Sequence, residues 1–217
     1  MILFLILSIP LLSLIYMRVF SPESLTSIET LRVFLRGLVS FLISVLPLYL
    51  IIRLYPVRFN ETALYIRTLI LDFLVVLVPL LLFFLFWEKK KIEYEYGQRL
   101  FVHIFSFVSG FSVLLGGFYA FVYYSFYTGY RAFGFPLLFT LVLVSVVISF
   151  YMYVTTMDWK RHLILGIPFM TALLCSVAAL LIELSYTALG IILCLLYLSI
   201  GGFLLYILYK NRFIPLK

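Results

Sequence analysis

Charge is what the long apolar stretches of this chain have least of. Sixteen Lys and Arg and nine Asp and Glu are present, yet nearly all fall in short gaps between seven apolar runs. Within those runs only Asp72 and His103 ionise, and each lies close to an end. Ionisable groups at membrane depth are costly and usually functional. Their scarcity argues against a proton pump, an ion pathway or a charged active site. Cysteine is scarce too. Cys175 and Cys194 both lie in expected spans with no CxxC spacing, and they read as small packing residues rather than as a disulfide or a metal site. The two histidines, His103 and His162, stand on different segments with no HExxH between them, which gives no zinc site. No GxGxxG, P-loop or GxSxG occurs, so neither a cofactor nor a metal is expected. Ser109-Gly110-Phe111-Ser112 has the look of a serine-protease turn, but no histidine of a second span stands to activate a hydroxyl.

What the chain does have is apolar length. At 65% hydrophobic, 12% charged and a mean hydropathy of +1.21, it departs from soluble domains, which are about half apolar and about a quarter charged. A span needs roughly 20 apolar residues. The whole chain therefore reads as one integral membrane domain over 1–217, an all-α bundle with spans near 1–17, 37–52, 68–87, 100–124, 135–155, 163–182 and 187–209. Met1 to Met17 has no basic residue before its apolar run and Arg18 just after it. That is the reverse of a cleaved signal, so a retained first span is expected. Arg53, Arg58, Arg67 and Arg131 fall on one set of alternating segments. Arg18, Arg32, Arg36, Lys89, Lys90, Lys91, Arg99, Lys160, Arg161, Lys210, Arg212 and Lys217 fall on the other. The positive-inside rule then puts the N-terminus outside and the C-terminus in the cytoplasm. It also accounts for the net charge of +7 without a nucleic-acid partner. The bilayer, expected to be a bacterial cytoplasmic membrane, is the first partner.

Between spans one and two, Ser21, Pro22 and Glu23 suit a helix start. Leu25, Ile28, Leu31 and Leu35 then recur at helical spacing, predicting an amphipathic surface helix that runs into span two. Lys89-Lys90-Lys91, flanked by Glu88, Glu93 and Glu95, mixes signs and reads as a topology anchor. The aromatic run from Phe118 to Phe133 matches an interfacial belt. Ser112, Gly116 and Ala120, and in span six Ala172 with Ser176 and Cys175 with Ala179, are ridges for close helix approach and candidate faces for a homo-oligomer. Pro10, Pro47, Pro79, Pro136 and Pro168 predict kinks. Five polar residues are candidates for function or pairing. Asp72 has Arg53 or Arg67 as a neutralising partner, and an ion pair fixing helix register is the structural account beside a substrate or proton site. Glu183 sits in a tight turn with Arg131 as a partner. His103, four residues after Arg99, reads as hydrogen-bonded packing rather than as a ligand or base. Asn60-Glu61-Thr62 is a glycosylation sequon on an expected outer loop.

The order Leu14-Ile15-Tyr16-Met17-Arg18, an acidic proline-containing segment, Leu31-Arg32-Val33-Phe34-Leu35-Arg36-Gly37 and Pro47 resembles the opening of the PrsW-type intramembrane proteases. Ser109-Gly110-Phe111-Ser112-Val113-Leu114 and Pro168 are similar to later parts of that family. The resemblance implies a compact polytopic scaffold with affinity for a transmembrane segment. It also places the family's paired glutamates within Val75 to Leu82, its span-four Glu-Asn near Leu115-Gly116, and its histidines in Leu137 to Thr140 and near Leu173-Leu174. None of these positions holds a carboxylate or a histidine, so no catalytic residue is carried over. The expected function is a non-catalytic binder or scaffold for another transmembrane protein. The alternatives are a membrane protease of unrecognised chemistry, or a carrier or scramblase for an apolar or lipid substrate.

Overall fold

A computed structural model describes residues 26–54, 68–92, 95, 97–123, 131–156 and 161–183, with short stretches between 188 and 200. The described residues are almost all helical and include no strand, as expected of an all-α chain. Helix α1 spans Ser27–Leu54. It begins at a capping box spelled Thr-x-x-Glu: the Glu29 amide donates to Thr26 Oγ1 at 3.2 Å and the Thr26 amide to Glu29 Oε2 at 2.9 Å. The two bonds satisfy donors that a helix start otherwise leaves orphaned. The helix runs through both the amphipathic segment and the expected second span. The cap anticipated at Ser21 lies outside the described residues.

A contiguous helical rod follows from Thr68 to Ile92, made of a π-helix Thr68–Leu74, α2 Val75–Phe83, a second π-helix Phe84–Glu88 and α3 Lys89–Ile92. Pro79 inside α2 lacks the amide that would complete the α pattern, and wider π turns stand on either side of it. The chain then reverses into α4, Gly97–Tyr123. Gly97 sits at φ +58°, a left-handed conformation open to glycine without a Cβ penalty. The remaining helices are α5 Arg131–Thr155, α6 Arg161–Ile164 and α7 Ile167–Glu183.

Among the described residues the most extensive helix contact is α1 on α4. Gly37 on α1 faces the backbone of Phe107 and Phe111, and Gly110 on α4 faces the backbone of Phe34. A Cβ at either position would collide with main chain, so both glycines are needed for this approach. The Ser109–Ser112 stretch is therefore helix interior at a crossing, with Ser112 Oγ donating to the Ser109 carbonyl at 2.9 Å. Helix α5 joins α4 to α7, and the π-helix Thr68–Leu74 packs on α7. Phe84 stacks on Phe150 across the rod and α5, with centroids 3.6 Å apart.

Large apolar side chains lie on the outside of the described helices as well as in their core. Helix α7 buries Ala172, Cys175, Ser176, Ala178 and Ala179 while exposing Met170, Leu173, Leu174 and Val177. Helix α1 buries Thr30, Gly37 and Ser40 together with Val33, Phe41 and Val45, and exposes Ile28, Leu31, Leu35, Val39, Leu42 and Ile43. Two of the described helical segments, Ile28–Pro47 and His162–Leu181, are long and apolar enough to cross a membrane, and only 33% of each is buried. Shorter apolar segments cover Arg99–Leu114 and Val142–Thr155.

Candidate functional site

The sequence stripe that packs the rod into the bundle also carries a carboxylate. Phe73, Leu77, Leu80, Leu81, Phe84 and Ile92 are all buried, and Glu88 stands one turn from both Phe84 and Ile92 on the same face. Its side chain is 2% exposed. Three cationic or proton-bearing groups meet it there. Arg36 Nη1 donates to both oxygens at 3.1 and 3.0 Å. Lys91 Nζ lies 3.5 Å from Oε1, and His103 Nε2 lies 3.1 Å from Oε2.

His103 extends the chain of charge. Its Nδ1 is 2.9 Å from Glu95 Oε2, but the pair is out of line for a hydrogen bond and neither atom has another partner. Neutral imidazole has one N–H. With a carboxylate oxygen at each ring nitrogen, a neutral ring can donate to only one of the two. Arg99 Nε then lies 3.6 Å from Glu95 Oε1, and Arg99 Nη2 lies 3.3 Å from Glu29 Oε1. Arg36, Glu88, His103, Glu95, Arg99 and Glu29 thus form a circuit with carboxylates at alternate places. It starts and ends on α1, where Arg36 and Glu29 are seven residues apart, about 10.5 Å along the axis.

Burial alone would push the Glu88 carboxyl up. The His103 hydrogen bond and the charges of Arg36, Lys91 and His103 outweigh it and hold the group below its ordinary value of 4.5. A neighbouring contact ties in a further helix. Lys89 Nζ reaches Tyr153 Oη at 3.3 Å, and the Tyr153 ring meets the His162 ring at 5.8 Å. Arg36, Glu88, Lys89, Tyr153 and His162 therefore share one end of the bundle.

Of the residues singled out from sequence, His103 lies at the centre of this circuit. Asp72 is on the Thr68–Leu74 π-helix, Arg53 is in the last turn of α1, Arg131 begins α5 and Glu183 ends α7. Their side chains lie outside the described residues. The sequence does not mark Glu88, Glu95, Arg36 and Arg99 as site residues, because Glu88 and Glu95 flank Lys89-Lys90-Lys91 and read as parts of a topology anchor. The available signal was the four-residue step from Phe84 to Glu88 to Ile92. Among the described residues no group of three or more His, Cys, Asp or Glu side chains is placed to hold a metal ion.

Comparison of the chain with protein-family models, with curated proteins and with solved structures returns no match.

Proposed function

We propose that the chain is a multi-pass membrane protein of seven spans with its N-terminus outside and its C-terminus in the cytoplasm. In this reading the Glu88–His103–Glu95 circuit is a structural lock, and the protein acts as a non-catalytic binder or scaffold for other membrane components. The observation that carries the membrane reading is α7, with its small residues inside and its large apolar ones outside. In lipid, helices gain little by burying leucine and approach closely through small residues instead. Sidedness draws support from the shared end of Arg36, Glu88, Lys89, Tyr153 and His162. These lie in or beside the gaps after expected spans one, three and five, as alternating crossings require.

The non-catalytic reading draws on the state of the charged groups. Both Glu88 oxygens accept from cations, and both nitrogens of His103 face carboxylates. A general base needs a lone pair directed at the proton that it removes, and these are directed at one another. Kinship with the PrsW-type proteases would make this a relative that keeps the scaffold and not the chemistry. A second reading, a membrane peptidase, draws on one observation, the buried carboxylate–imidazole pair Glu88–His103. It requires His103 to leave Glu95.

Impermeant maleimide labelling tests the topology in a Cys175→Ala, Cys194→Ala background. Ser125→Cys should label in intact cells and Lys90→Cys only after permeabilisation; the opposite pattern overturns the arrangement. Alkaline carbonate should leave the protein in the membrane pellet, and its release would refute membrane residence. Cleavage of a transmembrane peptide by the purified protein, abolished by His103→Asn, would replace the scaffold reading with the second one.

A further inference from the structure

We propose that a groove beside the Arg36–Glu88 pair is a binding site for an anionic phospholipid, with an acyl chain between α1 and the Phe84–Glu88 π-helix and the phosphate at a cationic mouth. This rests on the membrane reading above. The groove holds about 160 Å³ and is lined by Leu35, Arg36, Val39, Ser40, Trp87 and Glu88. An apolar cavity of about 150 Å³ admits a benzene-sized molecule, so a short run of methylenes fits. Leu35, Val39 and Trp87 are 46%, 44% and 49% exposed. The groove therefore opens on the apolar outside of the bundle, where a lipid chain would enter.

The floor selects hydrocarbon. Ser40 Oγ is committed to the Arg36 carbonyl at 2.7 Å, and Glu88 is committed to Arg36, Lys91 and His103. A peptide strand brought into the groove would bury amide groups against a floor with no partner for them, which is costly. A methylene chain asks for none. The mouth selects charge. Lys91 Nζ stands 5.2 Å from the centre of the Trp87 ring and 3.5 Å from Glu88, with Arg36 beside it. One carboxylate against these two cations leaves a net positive charge. Arg32, exposed on α1 one turn before Arg36, adds another. A net-negative phosphodiester headgroup matches this mouth better than a zwitterionic one.

The test uses the full chain purified in neutral detergent, with native mass spectrometry and thermal unfolding as readouts. The probes are phosphatidylglycerol, phosphatidylcholine with the same acyl chains, and inorganic phosphate. One phosphatidylglycerol should be retained per chain in preference to phosphatidylcholine, and phosphate alone should not raise the unfolding temperature. Lys91→Gln and Arg32→Gln should each weaken phosphatidylglycerol binding about fivefold, the contribution of one cation near an anionic surface. Val39→Trp fills the groove from its exposed wall without touching the ion pair. It should abolish retention while leaving the lipid-free unfolding temperature unchanged. Equal affinity for the two lipids, stabilisation by phosphate alone, retention in Val39→Trp, or displacement by an uncharged transmembrane peptide would each overturn the site. A protein that passes carbonate extraction and cysteine labelling but fails here loses the lipid site and not its membrane residence.

Discussion

Replacing Glu88 by Gln keeps the shape of the side chain and removes the charge at the node of the circuit. Arg36, Lys91 and His103 then face an amide that offers one acceptor oxygen where the carboxylate offered two. Removing one partner of a buried ion pair costs about 3–5 kcal/mol, because the other is left uncompensated. The full figure does not apply here. Arg36 and Lys91 are 31% and 39% exposed and can turn to water, whereas His103 at 6% cannot. The expected loss is about 2–3 kcal/mol. His103→Gln should be costly for the same reason, and the two changes should not add. Once Glu88 is neutral, the bond to His103 Nε2 is no longer charge-assisted, so the double variant should fall short of the sum by about 1 kcal/mol. SDS titration of the detergent-solubilised protein, followed by far-UV circular dichroism and tryptophan emission, measures all three. A loss below about 0.5 kcal/mol for Glu88→Gln, the range of ordinary surface changes, would refute the lock. So would strict additivity.

The Gly37–Gly110 crossing and the acid limb of stability are open to the same measurement. Gly37→Ala and Gly110→Ala should each cost about 2–3 kcal/mol, at the upper end for overpacking, since the new methyl meets rigid backbone of the facing helix. The double variant should cost less than the sum, because the first methyl already forces α1 and α4 apart; two additive losses would argue against a shared contact. For pH, the folded-state carboxyl of Glu88 is held below its ordinary value. Its contribution is therefore complete above about pH 4.5 and is lost as pH falls through the lowered value. Unfolding profiles from pH 7 to pH 3 should show a steeper acid loss in the native sequence than in Glu88→Gln, and parallel profiles would contradict the assignment.

The helical class and the start of α1 were legible from local signals. Apolar runs predict helices, and Thr26 with Glu29 spells a capping box three residues apart, although Ser21-Pro22-Glu23 offers a competing start signal a few residues earlier. The burial of Ala172, Cys175, Ser176 and Ala179 follows from small-residue spacing on one face. Glu88 was half legible. The stripe through Phe73, Leu77, Leu81 and Phe84 reaches it, but three adjacent lysines make the segment look solvated, and adjacency in sequence outweighed position on the wheel. The circuit itself has no local signature. Its members come from residues 29, 36, 88, 95, 99 and 103, and their meeting depends on α1 lying against both α4 and the rod. The same holds for Gly37 and Gly110. Each is an unremarkable helical glycine until the two helices are brought into contact. The π turns around Pro79 are likewise invisible to a period of 3.6.

An alternating circuit of charge at one end of an apolar bundle answers a problem that the apolar exterior creates. In the proposed lipid setting, leucine outside would be as well placed as leucine inside, and side-chain burial would do little to choose one sliding position of a helix over another. Gly37 and Gly110 fix how closely α1 and α4 approach, but glycine contacts alone tolerate rotation. The ion pairs do not. A slip of the rod by one residue would carry Glu88 off the stripe that holds Phe84 and Ile92, away from Arg36 and His103, and present Trp87 or Lys89 to them. Such a slip leaves His103 without its carboxylate and adds a cost of about 2–3 kcal/mol to the apolar mismatch along the same interface. Register is thus set at the charged end and distance at the glycine crossing. The Arg36 stem, drawn across to Glu88, lines the groove together with Leu35, Val39 and Trp87. Any change that frees Arg36 should therefore alter lipid retention together with stability, whereas Val39→Trp should alter retention alone.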